Sequence, residues 1–254
     1  GNVKRSLTAL NQLWRTADSN LHQISKRRNE LRKKGQEKLI NQTEKALSHS
    51  NENPIHPEYL GQRMSDILAP NTLVVSENFR AADHLMPFGF AHDNWRLIRT
   101  YGGSLGYGVG SAIGAQLGSP DTPLVLSIGD GSVMYSSSGF WTMARYRLPI
   151  LTIVWNNMNY QTVRTNFAAW GGNMKKENKY PETFLGNPEI DFVLLAKSQG
   201  IEGERVHDPK QLDSALKKGR EAQEAGEPYL LDVHITNLGH GADQTWHKSF
   251  SLTN

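Results

Sequence analysis

Between Leu126 and Tyr160 the chain reads LSIGDGSVMYSSSGFWTMARYRLPILTIVWNNMNY. Two apolar runs each end in polar residues, the first in Gly-Asp-Gly around Asp130 and the second in Asn156-Asn157. A carboxylate and an amide oxygen are hard ligands, suited to Mg²⁺ or Ca²⁺ rather than to zinc. Asp130 and Asn157 can do that work only if the fold brings them to one ion. Otherwise they are the polar corners of two turns.

Asp-Gly between apolar runs is also a hairpin signal, which would make SIGDGSVMY two antiparallel strands. Against the hairpin, SSSG (136–139) offers Ser hydroxyls as helix caps, and FWTMARYRL has helix-like composition. The favoured reading is strand, tight loop, helix, strand, with the hairpin as the alternative. Such a crossover puts both strand C-termini on one edge of the sheet. That edge holds the crevice in which doubly wound folds bind ligands. Two side chains cannot fill an octahedral shell, so a backbone carbonyl, water and phosphate oxygens must complete it. Gly131 leaves room for a phosphate, and the helix after it presents free N–H groups to an anion. The constellation predicts a diphosphate–metal ligand.

The surrounding elements support that placement. TLVVSE (72–77), PLVLSIGD (123–130), PILTIVWNN (149–157) and PYLLDVHIT (228–236) read as strands. Helical patterns separate them: the Gly/Ala-rich continuation of TYGGSLGYGVGSAIGAQLG (100–118), then 138–146, 190–200 and the capped 207–226. Nearly continuous apolar strands alternating with helices predict an α/β fold, doubly wound, its mainly parallel sheet covered on both faces. Residues 2–17 form a helix by the spacing of Val3, Leu7, Leu10, Leu13 and Trp14, and a polar helical segment over 20–48 breaks at Gly35. The turn-rich SHSNENPIHP (48–57) marks a boundary before a helix around Pro57–Leu68. The expected organisation is 1–53 as the end of a preceding domain with a basic linker, 54–236 as the ligand-binding domain, and 237–254 as a tail.

At 254 residues with 37% hydrophobic and 21% charged residues, the chain has the composition of an ordinary globular protein. Its longest strongly apolar stretch, Ile150 to Trp155, is far short of the ~20 residues that span a bilayer. The absence of cysteine excludes disulfides, zinc–thiolate sites and thiol catalysis from these residues. A cytoplasmic setting is the default expectation, and the start GNVKRSL looks trimmed or cut from something longer. The net charge of +3 conceals a division: residues 1–50 carry eleven Lys and Arg against four acidic groups, a net +7, and the remainder is −4.

GDG followed by 24 residues and NN resembles the cofactor motif of thiamine-diphosphate-dependent enzymes. GDGSVMYSSSGFWTMARYRLP, NNMNYQTVR and GGSLGYGVGSAIGAQL together resemble one branch of that family. It contains benzoylformate decarboxylase, acetohydroxyacid synthase and the 2-hydroxyacyl-CoA lyases. Residues 54–236 resemble its C-terminal diphosphate-binding domain, and GNVKRSLTALNQLW the end of the domain before it.

The resemblance implies thiamine diphosphate and Mg²⁺ as cofactors, with roles for particular residues. Asp130 and Asn157 would bind Mg²⁺ by side-chain oxygens and Asn159 by its backbone carbonyl. Gly131 and Ser132 would contact the diphosphate, with Tyr160 packing nearby. Leu105 would prop the cofactor in a bent conformation, with core packing as the alternative. The main chain of Gly103 and Leu105 would meet the aminopyrimidine, and Ser76 and Asn78 would lie near the diphosphate. There the sequence departs from its relatives, with Phe79 and Arg80 in place of small polar residues. Thr162, Val163 and Asn166 would face the substrate.

In the resembled family a glutamate that activates the cofactor resides on a pyrimidine-binding domain, which has no counterpart here. No catalytic residue is therefore expected in this chain. Half of each site would come from another polypeptide or a missing region, in a homo-oligomer. With it, the chemistry would cleave or form a C–C bond beside a carbonyl, as in a 2-keto acid decarboxylase or an acetolactate-synthase-like carboligase. A 2-hydroxyacyl-CoA lyase is an alternative, favoured if Arg96, Arg99 and the tail line the pocket. A non-catalytic cofactor-binding or regulatory subunit is another.

The basic N-terminal segment invites a nucleic-acid reading. It mixes Gln, Asn and Glu among its cations and holds one aromatic residue, Trp14, which favours a solvated linker helix. Neither nucleic acid nor membrane is an expected partner. The tail residues His240, Trp246 and His247 lack the short spacing of a zinc site and leave an active-site lid or a disordered segment open.

Overall fold

The computed structural model describes residues 2–16, 21–78, 81–89, 95–99, 104–180 and 183–237. Contacts divide the chain into two compact units, Gly1–Asn41 and Gln42–Asn254.

The first unit holds α1 (Val3–Thr16) and most of α2 (Leu21–Ser48). α2 runs through Gly35 without the predicted break. One glycine costs about 1 kcal/mol relative to alanine, and the strong helix formers on either side, from Arg32 to Lys38, outweigh that.

In the second unit the elements after α2 are α3 (Pro57–Ile67), β1 (Leu73–Glu77), α4 (Ala81–Gly89), β2 (Arg96–Arg99) and α5 (Tyr107–Gly118). They continue as β3 (Leu124–Gly129), α6 (Asp130–Ser136), α7 (Gly139–Arg145), β4 (Ile150–Asn156), α8 (Gln161–Trp170) and α9 (Asn173–Glu177). The last are α10 (Phe192–Lys197), β5 (Glu202–Val206), α11 (Pro209–Glu224) and β6 (Tyr229–His234). The six strands form one sheet in the order β2-β1-β3-β4-β6-β5, and every pairing is parallel. β3 pairs β4 from Leu124↔Ile150 to Gly129↔Trp155, which rules out the hairpin reading of SIGDGSVMY.

Strand alternation sends side chains to two cores. Leu124, Leu126 and Ile128 of β3 pack on one face with Val109 and Ala112 of α5, Phe140 and Met143 of α7 and Phe192 of α10. Val125 goes to the other face, with Leu60 and Met64 of α3 and Leu212 and Leu216 of α11. Because β1, β3, β4 and β6 are covered on both sides, each reads as a mainly apolar run without polar alternation. Asp208 and Asp191 cap α11 and α10 through the N–H groups of Lys210 and Leu194. The predicted serine cap before α7 is absent: Ser138 makes no side-chain cap bond, because α6 already fills Asp130–Ser136 and the serines only join two helical turns.

Strand order reverses between β1 and β3: the chain leaves β1 for one edge of the sheet and leaves β3 for the other. The C-terminal ends of these two strands flank the crevice in which open parallel sheets hold ligands.

Candidate active site

Glu77 closes β1 and Asp130 follows β3, so the switch point brings two acidic groups to one crevice. The crevice is a cavity of about 760 Å³ including its open mouth. Glu77, Asn78, Leu105, Asp130, Gly131 and Ser132 line one side, and Trp155, Asn157, Asn159, Tyr160, Thr162 and Val163 another.

Asp130 is nearly buried, and its two oxygens are held by backbone: Gly131 N–H donates to Oδ1 at 2.8 Å and Asn159 N–H to Oδ2 at 3.1 Å. The Asn159 N–H also reaches Asn157 Oδ1 at 2.9 Å. A single donor therefore gathers one oxygen from each of the two residues that end β3 and follow β4. The loop turns sharply enough for this because Met158 takes a left-handed conformation, φ 55°. Its N–H donates to Asn156 Oδ1 at 3.1 Å, and Asn156 Nδ2 donates to the buried Asp232 at 2.9 Å, tying the loop to β6.

The Asn159 side chain is engaged elsewhere. Its Nδ2 donates to the Asn157 carbonyl at 2.9 Å, and its Oδ1 accepts from the fully buried Arg164 at 2.6 Å.

Burial pushes the Asp130 carboxyl up to about 7, against the lowering effect of its N–H donors, with Asp232 adding a smaller push upward. Burial also raises the Glu77 carboxyl, opposed by the N–H groups of Gly106 and Gly108 and by the Ser132 hydroxyl. Gly106 N–H reaches Glu77 Oε1 at 2.5 Å and Gly108 N–H reaches Oε2. Two desolvated carboxyls thus face a cavity with no Lys or Arg among its described lining residues. A cation brought in from solvent would relieve both. Hard oxygen donors on Asp130, Asn157 and the Asn159 carbonyl suit a Mg²⁺-like ion, and a polyphosphate could supply its remaining ligands. Trp155, which lines the same cavity, has an indole N–H without a protein acceptor.

The family model for the thiamine pyrophosphate enzyme C-terminal TPP-binding domain matches residues 81–233. The chain belongs to the thiamine pyrophosphate enzymes. Among relatives of this C-terminal TPP-binding domain, the acetolactate synthase of Bacillus subtilis (strain 168) is 35% identical over 132 residues, covering 52% of this chain and 21% of that protein. The benzoylformate decarboxylase of Pseudomonas aeruginosa is 33% identical over 131 residues, 52% of this chain and 23% of that one. Among solved structures, the thiamine diphosphate-dependent 4-hydroxybenzoylformate decarboxylase of Rhodococcus jostii RHA1 superimposes with a TM-score of 0.60 at 27% identity, covering 72% of this chain and 33% of that one. The chain thus spans between a fifth and a third of the length of these relatives.

Within this TPP-binding domain, the predicted residues Leu105, Asp130, Gly131, Ser132, Asn157, Asn159, Tyr160, Asn78, Thr162 and Val163 all line one cavity. Ser76 is buried in β1 and Asn166 is exposed on α8, and neither lines it. Gly103 lies outside the described residues, as do His240, Trp246 and His247. Arg96 and Arg99 lie on edge strand β2, away from the lining.

Gly131 is under a second constraint besides the one inferred from sequence. A Cβ there would stand 2.3 Å from the Tyr160 ring, so the glycine makes room for tyrosine within the protein itself. Sequence reasoning missed Glu77, whose signal was a lone acid ending the otherwise apolar LVVSE. It also missed Arg164, whose burial is invisible in a polar helical segment.

Proposed function

We propose that this chain supplies the diphosphate- and Mg²⁺-holding half of a thiamine diphosphate site, in an enzyme that cleaves or forms C–C bonds beside the carbonyl of a 2-keto acid. Acetolactate-synthase-like carboligation and 2-keto acid decarboxylation are the two exits within this reading. The observation that carries it is the single Asn159 N–H on which Asp130 Oδ2 and Asn157 Oδ1 converge.

When bound, thiamine diphosphate supplies a carbon nucleophile that no protein side chain offers. Asp130 and Asn157 would hold the Mg²⁺ by side-chain oxygens and Asn159 by its backbone carbonyl. Gly131 and Ser132 would meet the diphosphate, and Asn78 lies on the same wall. Leu105, at the entry to α5 and in the same cavity, would brace the bound ring system. Thr162 and Val163, in the first turn of α8, would face the substrate. Arg164 acts at one remove, holding the loop through Asn159.

The activating carboxylate belongs, in this reading, to a pyrimidine-binding domain outside these residues. Sharing the site across domains makes a homo-oligomer the natural assembly, and the cytoplasm its default setting.

Calorimetric titration of the chain with thiamine diphosphate, with and without Mg²⁺, tests the proposal beside Asp130→Ala. Binding that requires Mg²⁺ and weakens at least tenfold in the variant is expected. Absence of binding by the folded protein, even with a chain carrying a pyrimidine domain added, would return Asp130 and Asn157 to the role of turn residues.

A further inference from the structure

The end of α2, the turn after it and the neighbouring faces of α3 and α4 gather side chains that the diphosphate site does not use. His49 and His56 stack with ring centroids 3.7 Å apart and planes 8° from parallel. His84 of α4 stands edge-on to His56, centroids 6.4 Å apart. Glu58 is common to all three. Its Oε2 lies 3.9 Å from His49 Nε2, its Oε1 3.8 Å from His84 Nδ1, and its backbone N–H donates to His56 Nδ1 at 3.2 Å. One ligand atom from each of His49, His56 and Glu58 falls within 4.8 Å of the others. Donors on one zinc-type ion at about 2.0–2.1 Å stand roughly 3.3–4.2 Å apart; the stacked rings hold their lone pairs in parallel planes, so one imidazole must turn out of the stack to close the set.

Two features distinguish the cluster from a chance meeting of polar residues. Glu52 Oε1 sits 2.6 Å from His49 Nδ1. That bond holds the ring proton on Nδ1 and leaves the Nε2 lone pair on the Glu58 side, the arrangement in which a carboxylate orients a metal-ligating histidine. The second feature is the close approach of α3 to α4. At Gly61 a Cβ would stand 2.5 Å from the His84 carbonyl oxygen, so the backbone of His84 is held against α3 whatever its side chain does.

We infer that His49, His56 and Glu58 form a site for one divalent transition-metal ion of the zinc type, with water completing its shell. Two imidazoles with one carboxylate select Zn²⁺ or Co²⁺ over Mg²⁺, which keeps this site chemically separate from the oxygen-only set at Asp130. The Lys45 ammonium, 2.7 Å from Glu58 Oε1 and largely exposed, balances the carboxylate without the ion. With its lysine end in solvent the pair is weak, so an ion displaces it. The long cap bond to His56 is the other contact the ion replaces.

The test uses the tag-free chain in excess Mg²⁺, titrated with Co²⁺ by visible d–d absorption and then with Zn²⁺ by calorimetry. One equivalent with tetrahedral cobalt bands, displaced by Zn²⁺, is expected. Affinity should fall at least tenfold in His49→Ala and in Glu58→Gln, with unchanged circular dichroism, and hold in the His240→Ala/His247→Ala double variant. No saturable binding overturns the proposal, as does binding that survives both cluster substitutions. Should either of those variants fail to fold, Lys45→Met removes the competing ammonium without touching a ligand. Severalfold tighter binding is then expected, and unchanged or weaker binding counts against the site.

Discussion

Asp130 and Asn157 meet on one hydrogen atom: the Asn159 N–H lies 3.1 Å from Asp130 Oδ2 and 2.9 Å from Asn157 Oδ1. This convergence of two oxygens from different strand ends requires β3 and β4 to be adjacent and parallel, as the register Gly129↔Trp155 makes them. It also holds the Asp130 carboxyl in a desolvated position.

That carboxylate sets a pH dependence. Its ordinary value is 3.8 and burial carries it to about 7, so between those values the folded chain holds a proton that the unfolded chain has lost. Stability of the metal-free protein is therefore greatest below the lower value and falls as pH rises through the upper one, by up to roughly 4 kcal/mol. Glu77, also raised by burial, acts in the same direction. Thermal melts should show a lower midpoint at about pH 8 than at about pH 5, and a larger gain from Mg²⁺ at the higher pH. A flat profile would mean that Asp130 is not desolvated in solution.

Gly131→Ala is expected to destabilise by about 1–3 kcal/mol through overpacking, since its new methyl would fall 2.3 Å from the Tyr160 ring. The second-site change Tyr160→Ala should make Gly131→Ala close to neutral when the two are combined. Chemical denaturation of the four proteins measures the coupling. Strict additivity would show that the ring moves aside at no cost.

Arg164 is fully buried, donates to Asn159 Oδ1 at 2.6 Å and stacks its guanidinium 5.6 Å from the Tyr180 ring centroid. Arg164→Met should cost about 2 kcal/mol, the range of a hydrogen bond from a charged group. It should also weaken Mg²⁺-dependent thiamine diphosphate binding severalfold, because the freed Asn159 no longer fixes its own backbone. Arg164→Lys should not restore binding, as a lysine lacks the planar fork. Unchanged affinity in Arg164→Met would restrict its role to packing.

Glu77 holds the entry to α5 through the N–H groups of Gly106 and Gly108. Glu77→Gln leaves one acceptor for two donors and turns an amide N–H₂ toward the other. A loss of about 2 kcal/mol follows from the unsatisfied buried donor. Hydrogen exchange should quicken at Gly106 and Gly108 while the amides of β3 keep their protection. Unchanged exchange at the two glycines would show that the carboxylate does not anchor this turn.

The central strands were legible because burial on both faces leaves no alternation to misread: LVLSIG and ILTIVWN are buried almost throughout and mainly apolar. The capped helix over Pro209–Glu224 was legible from Asp208, Pro209 and its amphipathic period. The edge strands β2 (RLIR) and β5 (EGERV) were not, since each is short, charged and partly exposed, and only its neighbour in the sheet makes it a strand. Glu77 was passed over for a similar reason. Its burial comes from α5 folding back across the end of β1, a contact separated by some thirty residues of chain.

The sequence by itself determined the α/β class, the alternation of strands and helices, and the two polar corners Asp130 and Asn157 as candidate oxygen ligands. Local pattern suffices for these, because helix and strand periods and the chemistry of a side chain are properties of short segments. Tertiary structure alone decided the strand order and the hydrogen bond that joins the two corners. It also decided that the Tyr160 ring packs against Gly131, and that His49, His56, His84 and Glu58 lie together. Each of these depends on which distant segments pack against one another, and one-dimensional periodicity carries no record of that pairing.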